Sequence, residues 1–303
     1  MSSEPVPAAR PVGIGFIGLG VMGRPMAGHL LAAGHELHVH ARRPAATDGL
    51  VGAGAVAHPT PAALAARCGV VLLAVPDLPD VEAVLAGESG LLAGLDHPLT
   101  LVVCSTVSPD GVRALGARLA EETSGLAHVV DAPVSGGEAG AVAGTLAIMV
   151  GGEDEDVALV TPVLRACGRP VHLGPLGAGE VAKACNQMIV AATVLALGEA
   201  SVVAERAGLD LGALLDLLGT GLAGSQVLEQ KKRAFVEHDH RPTGKARFMV
   251  KDLGFATEEA RRSGTATPQL DVLRTAFTEL TDAGMGDQDV AVVQAWIESG
   301  VSR

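Results

Sequence analysis

The chain has 303 residues, 48% of them hydrophobic, and a formal charge of −12. That length accommodates two domains with ample core, and the charge sets nucleic acid and anionic membrane aside as partners, so an anionic ligand must meet a local basic site. The chain contains no tyrosine, which excludes the dehydrogenase classes whose proton donor is a tyrosine hydroxyl.

Residues 1–11 are polar and proline-rich, lack an apolar signal core and read as a disordered lead-in to an intracellular, cytoplasmic protein. The first apolar run, 12–17, predicts a buried strand. It breaks at Gly18-Leu19-Gly20-Val21-Met22-Gly23, and a helical pattern begins at once, with Met22, Met26 and Leu30 four residues apart and Gly34 as a stop. Between a strand and a helix this GxGxxG segment predicts a dinucleotide site. Gly18 permits the tight turn, Gly20 lets the backbone approach a pyrophosphate, and Gly23 lets the helix pack on the strand. The amino end of that helix offers N–H groups to the phosphates.

The second strand, 36–41, decides which dinucleotide. It lacks the Asp or Glu that bonds a ribose 2′-hydroxyl and runs into Arg42-Arg43-Pro44. A carboxylate repels a 2′-phosphate and a guanidinium pairs with it, so Arg42 and Arg43 point to NADP(H).

Apolar runs at 69–75, 99–104 and 127–131 continue the alternation, and shorter ones at 146–150 and 170–173 could extend it. The pattern suggests βαβ units and a parallel sheet. Ligands of such sheets bind beyond the carboxyl ends of the strands, so the loops at Val75-Pro76, Thr106 and Asp131-Ala132-Pro133 border the expected cofactor. A strand running into Ser135-Gly136-Gly137 exposes successive backbone N–H groups and a hydroxyl, a natural carboxylate cradle. An ordinary glycine-rich loop has the same composition.

After residue 179 the texture becomes helical. The first helix, about 180–206, carries only Lys183 and Glu199 as charges between Val181 and Ala204. A helix so apolar around its circumference is expected to be buried between domains or subunits, which suggests a homodimer or homotetramer. No uninterrupted apolar run approaches the roughly twenty residues needed to cross a bilayer. Lys183 sits among Val181, Ala182, Ala184, Cys185 and Ile189, where desolvation lowers an ammonium pKa and suits it to proton transfer. Asn186 and Gln187 lie three and four residues later on the same face, with amides to offer a polar substrate. Turn signals near 207–212, 219–224, 238–244, 262–268 and 283–287 separate further helices. Lys251-Asp252 falls within one of them, where a surface ion pair is the plain reading. The organisation expected is α/β: a Rossmann-type dinucleotide-binding domain over 12–176 and an all-α substrate and oligomerisation domain over 177–303.

The four cysteines, Cys68, Cys104, Cys167 and Cys185, form no CxxC pair and read as reduced core residues. His35, His38 and His40 are close in sequence, as are His238 and His240, but no carboxylate or cysteine completes a zinc spacing, and no metal is expected.

Taken in order, FIGLGVMGRPMA, DAPVSGG with a following GTL, GxGxxxKxxNQ (177–187) and KDL (251–253) resemble the β-hydroxyacid dehydrogenases of the 3-hydroxyisobutyrate dehydrogenase-like kind. Asn186-Gln187 and the segment 221–225 look closest to the tartronate semialdehyde reductase branch. The resemblance covers nearly the whole chain after the first eleven residues. It implies that Lys183 is the general acid in reduction and the base in oxidation, and that Ser135, Gly136 and Gly137 hold a substrate carboxylate. Asn186 would help orient substrate, Lys251 would lie near nicotinamide and substrate, and Thr106, Val75 and Pro76 would line the cofactor. The implied reaction interconverts a short 3-hydroxy acid and its semialdehyde without a metal. One departure is the loop before KDL, Arg241 to Arg247, where members often carry a Gly-Phe pair; its basic residues either tune the site for a more anionic substrate or decorate the surface. The rival readings are an NADPH-dependent imine reductase, whose members generally carry another residue where Lys183 stands, and a non-catalytic NADPH-binding module.

Overall fold

Every residue of the strand Gly13–Ile17 (β1) is buried, which is why it reads as a continuous apolar run rather than an alternating one. Val12 stays exposed, so the strand begins one residue later than the apolar run suggests. The computed structural model describes residues 12–300, and the expected lead-in at 1–11 lies outside them. From β1 the chain continues through α1 (Gly23–Ala32), β2 (Leu37–His40), α2 (Asp48–Gly52), β3 (Val56–Ala57), α3 (Pro61–Ala65), β4 (Cys68–Leu73), α4 (Leu78–Leu85), β5 (Leu99–Val103), α5 (Pro109–Glu122) and β6 (Ala127–Asp131). These six strands are parallel and lie in the order β3-β2-β1-β4-β5-β6. That is the doubly wound dinucleotide-binding order, whose switch point falls between β1 and β4.

Side chains alternate between the two faces of the sheet. Leu72 and Val102 join Phe16, Met26 and Leu30 in one core. Val71, Leu73, Leu101 and Val103 join Leu115 and Leu119 in the other. The sheet then departs from the all-parallel expectation. After β7 (Val134–Ser135) and α6 (Gly137–Ala143), β8 (Leu146–Gly151) runs antiparallel to both β6 and β7. The connection from β7 to β8, α6 included, is shorter than the dozen or so residues that a parallel crossover needs, and the strand returns reversed. After α7 (Asp154–Leu164), β9 (Gly168–Gly174) pairs parallel to β8.

The helices α8 (Ala178–Arg206), α9 (Leu211–Gly219), α10 (Gln226–Val236), α11 (Arg247–Ser263), α12 (Pro268–Leu280) and α13 (Val293–Glu298) follow. The chain divides into two compact units, the first ending at Lys183 and the second opening at Ala184. The second unit is helical, with its own core of Ala191, Val194, Leu215, Phe235, Phe277 and Trp296 among others.

Within the single chain α8 buries the side carrying Ala191, Val194 and Leu197, while Ile189 is 68% and Val203 67% exposed on the other. The expectation that all four cysteines are core residues needs correction. Cys185 lies on the exposed side, so three of the four cysteines are buried and this one is not. By length and composition α8 is also long and apolar enough to cross a membrane; its inner side instead buries Gln187 and Ser201 beside the helical core.

Candidate active site

The turn after β1 contains three glycines with three different reasons to be glycine. Gly18 has φ +101°, and a Cβ there would strike the carbonyl of Ala74 at the end of β4. A Cβ on Gly23 would strike the carbonyl of Gly18 and approach the Phe16 ring at 2.9 Å. At Gly20 a Cβ meets nothing within 4 Å, so only an incoming group makes glycine necessary there. This is the fit expected of a pyrophosphate seated on the turn. Leu19 is buried and anchors the turn, Met22 is half-buried and precedes α1, and Val21 is exposed.

Beyond β2, Arg42 and Arg43 are both exposed, and the half-buried Ala41 precedes them. The nearby histidines bond one another and the sheet. His38 Nδ1 lies 2.8 Å from His58 Nε2, His38 Nε2 lies 3.2 Å from Glu36, and His40 Nδ1 lies 3.0 Å from the His58 carbonyl. Burial, then the neighbouring charges of His38, Arg67 and His40, lowers the pKa of His58.

The next strand ends are tied together by the small, polar residue before Thr106. Ser105 is buried, and its Oγ accepts the Val75 N–H at 3.0 Å. Beside them Thr106 is half-buried and Pro76 exposed. The Val107 N–H donates to Glu180 Oε2 at 3.2 Å, which joins this loop to the first turn of α8.

Asp131 organises the same helix end from β6. Its Oδ1 accepts the Gly177 N–H and its Oδ2 the Glu180 N–H, each at 2.7 Å, and the residue is fully buried. Burial raises its pKa although these backbone bonds oppose the rise. A Cβ on Gly179 would strike the Met149 carbonyl, so glycine is what lets the helix end sit on β8. Lys183, 8% exposed, then reaches back to β7, and its Nζ donates to the Val134 carbonyl at 2.9 Å. Ser135 follows directly, with Gly136 at φ +140° and Gly137 at φ +63°. The first unit thus brings the Lys183 ammonium to the head of the Ser135-Gly136-Gly137 turn, across 49 positions of sequence. The signal for Asp131 lay in the DAPVSGG motif and that for Ser105 in the small, polar strand end it shares with Thr106; Glu180 carries none, because its partner is a backbone group far away in sequence.

In the second unit, Gln187 is buried and its Nε2 donates to Asp252 Oδ2 at 2.7 Å, while Asn186 Nδ2 donates to Gln187 Oε1 at 3.0 Å. Lys251 Nζ donates to the other Asp252 oxygen at 2.9 Å and lies 5.2 Å from the Phe255 ring centroid. Asp252 is itself buried. The Lys251-Asp252 pair is therefore no surface ornament: one carboxylate holds the lysine and the glutamine amide together. Ser225 of the segment 221–225 caps α10, accepting the Leu228 N–H at 3.0 Å, and Leu222 stands fully exposed.

The basic loop resolves differently. Lys245 and Arg247 both pair with Asp287 at 2.8 Å, and Arg241 pairs with Asp239. Asp289 fixes the loop by accepting from Lys231 Nζ, the Thr243 hydroxyl and the Gly244 N–H. Burial pushes the Asp289 carboxyl up, but Lys231 and Thr243 more than offset this and hold it below the usual range. These cations are matched by neighbouring acids, which favours the surface reading of the loop. The fold also brings carboxylates to His238 that sequence spacing did not: Nε2 faces Glu205 at 3.0 Å and Nδ1 faces Glu298 at 3.8 Å. The imidazole is thus turned to two acids through opposite nitrogens.

Residues 13–184 match the family described as the NAD-binding domain of 6-phosphogluconate dehydrogenase. Residues 177–296 match the one described as NAD-binding of NADP-dependent 3-hydroxyisobutyrate dehydrogenase. The chain is 37% identical over 289 residues to the NAD-dependent L-serine dehydrogenase of Pseudomonas aeruginosa, covering 93% of this chain and 96% of that one. It is 37% identical over 284 residues to the 2-hydroxy-3-oxopropionate reductase of Escherichia coli, with 93% and 96% covered. Among solved structures, Psf3 in complex with NADP+ and 2-OPP superposes with a TM-score of 0.84 at 27% identity, over 94% of this chain and 99% of that one.

Proposed function

The chain belongs to the β-hydroxyacid dehydrogenase family and is a nicotinamide-dinucleotide-dependent hydroxyacid dehydrogenase, and we propose that it works with NADP(H) on a short 3-hydroxy acid and its semialdehyde, with Lys183 as the proton-transferring group. The observation that carries this reading is the Lys183 ammonium, nearly enclosed and held 2.9 Å from the Val134 carbonyl at the head of the Ser135-Gly136-Gly137 turn.

When bound, the nicotinamide supplies or accepts the hydride. The chain's own groups do the rest. Consecutive N–H groups at Gly136 and Gly137, with the Ser135 hydroxyl, suit a carboxylate. Lys183 then stands where it can protonate the oxygen of a carbonyl three bonds from that carboxylate, and remove the same proton in oxidation. Asn186 and Gln187 on α8, and Lys251 on α11, complete the proposed polar contacts to substrate and cofactor.

The preference for NADP(H) rests on Ala41, Arg42 and Arg43 where an NAD site carries an acid. Psf3 is a relative with NADP+ bound, whereas the L-serine dehydrogenase is described as NAD-dependent, so the cofactor assay must include both. The exposed Ile189 and Val203 of α8 favour a homo-oligomer that covers this face.

The test is oxidation of NADPH and NADH, followed optically, with tartronate semialdehyde, methylmalonate semialdehyde and succinic semialdehyde. Turnover on one of them, faster with NADPH, supports the reading. Silence on all three, with imines reduced instead, contradicts it.

A further inference from the structure

Lys183 lies five residues into α8, within two turns of a helix end that carries roughly half a positive charge from its aligned peptides. An ammonium there is opposed by the helix itself. Two buried carboxylates face the same end: Asp131 from β6 and Glu180 from α8. Asp131 directs both oxygens at backbone N–H groups of residues 177 and 180. Glu180 behaves differently. It is 1% exposed, lies one turn before Lys183 on the same face, and sends Oε2 to the Val107 N–H in the loop that also holds Thr106.

We propose that Glu180 is a positioning residue for Lys183: its carboxylate clamps the start of α8 to the 105–107 loop and supplies the negative charge that offsets the helix end beneath the ammonium. This rests on the reading of Lys183 as the proton-transferring group. The cofactor-lining loops are already linked in series, since Val75 donates to Ser105 and Val107 to Glu180. Glu180 is thus where the strand ends of the cofactor half connect to the helix that bears the lysine. Two other titratable groups pack at this point: Cys104 of the β5 end, whose thiol burial pushes far up so that it stays neutral, and Arg113 of α5, whose guanidinium lies against Gly177 and adds to the positive charge that Asp131 and Glu180 offset.

The experiment compares the full-length wild type with Glu180→Gln and Glu180→Asp. In Glu180→Gln the charge is lost, and the basic limb of the kcat profile for semialdehyde reduction is expected to move down by about one pH unit, with KM for NADPH within about twofold. In Glu180→Asp the charge remains but the shorter side chain cannot reach Val107, so the limb stays in place while kcat falls several-fold. Without cofactor, amide hydrogen exchange at Val107 should quicken in Glu180→Asp, whereas Glu180→Gln keeps an acceptor oxygen for that N–H. A Glu180→Gln profile superimposable on the wild type overturns the charge role, and wild-type kcat with unchanged exchange in Glu180→Asp overturns the clamp. If Glu180→Gln does not fold, Glu180→Asp alone decides: a limb displaced as far as about one unit with the acid retained contradicts the proposal. Lys183→Ala run alongside separates the two levels. Turnover retained in that variant removes the lysine reading itself, while turnover lost there but unaltered in the Glu180 variants removes only this inference.

Discussion

Replacing Gly20 by alanine should strengthen the protein and weaken its cofactor binding at once. Gly20 is not among the glycines with positive φ, and a Cβ there meets no atom within 4 Å. The protein therefore tolerates the methyl group, and the smaller entropy of the unfolded chain adds about 0.4–1 kcal/mol of stability. For a bound pyrophosphate the same methyl group stands where the backbone must come close. Losing one charge-assisted N–H bond to phosphate costs about 1.5–3 kcal/mol, or roughly ten- to more than a hundredfold in affinity. Gly23→Ala is the contrasting variant, because its Cβ collides with the Gly18 carbonyl and crowds the Phe16 ring. Several kcal/mol of destabilisation is expected there, enough to lower Tm by ~10 °C or prevent folding. Thermal melting of the cofactor-free proteins and calorimetric titration with NADPH read both quantities. Wild-type NADPH affinity in Gly20→Ala would refute the assignment of this turn to the pyrophosphate.

Arg42→Ala combined with Arg43→Ala should raise KM for NADPH while leaving NADH kinetics nearly unchanged. Both side chains are exposed, so each contact to a 2′-phosphate is worth about 1–2 kcal/mol, and the pair about a hundredfold at low salt. An equal loss with both cofactors would refute the phosphate role. Acid stability should also show a signature of two histidines. Burial is the leading cause that lowers His58 and His240 below 6.5, so the fold favours their neutral forms. Their stabilising contribution is complete above the unfolded value of 6.5 and is lost as pH falls through the lowered folded values. Tm should therefore decline between pH 7.5 and 5.5, less steeply in His58→Gln with His240→Gln; parallel curves would show that neither histidine contributes.

What could be read from the sequence was what depends on near neighbours. The β1 turn and α1 are encoded within 20 residues, and each glycine's task follows from its place in one turn. Lys183 stood out because its helix neighbours are apolar. The rest required pairings between distant segments. Nothing in 146–151 declares that β8 runs backwards, since a buried strand has the same apolar run in either direction. Helix periodicity alone did not separate the core side of α8, with Ala191 and Val194, from the outer side with Cys185 and Ile189, because both are apolar. The basic residues of the loop from Arg241 to Arg247 fit a site feature and a surface decoration equally well in sequence, and only the pairing with Asp287 and Asp239 favours the surface. Glu180 stands in the first turn of α8, the commonest place for a helix acid, and only the Val107 bond gives it a further use.

The most direct measurement is rapid-mixing kinetics of Lys183→Ala with NADPH and the best semialdehyde substrate. The expected result is NADPH affinity within about twofold of wild type and hydride transfer slower by about 10²–10⁴-fold at pH 7. Transfer within tenfold of wild type, with the cofactor bound as before, would contradict the assignment of the proton to Lys183.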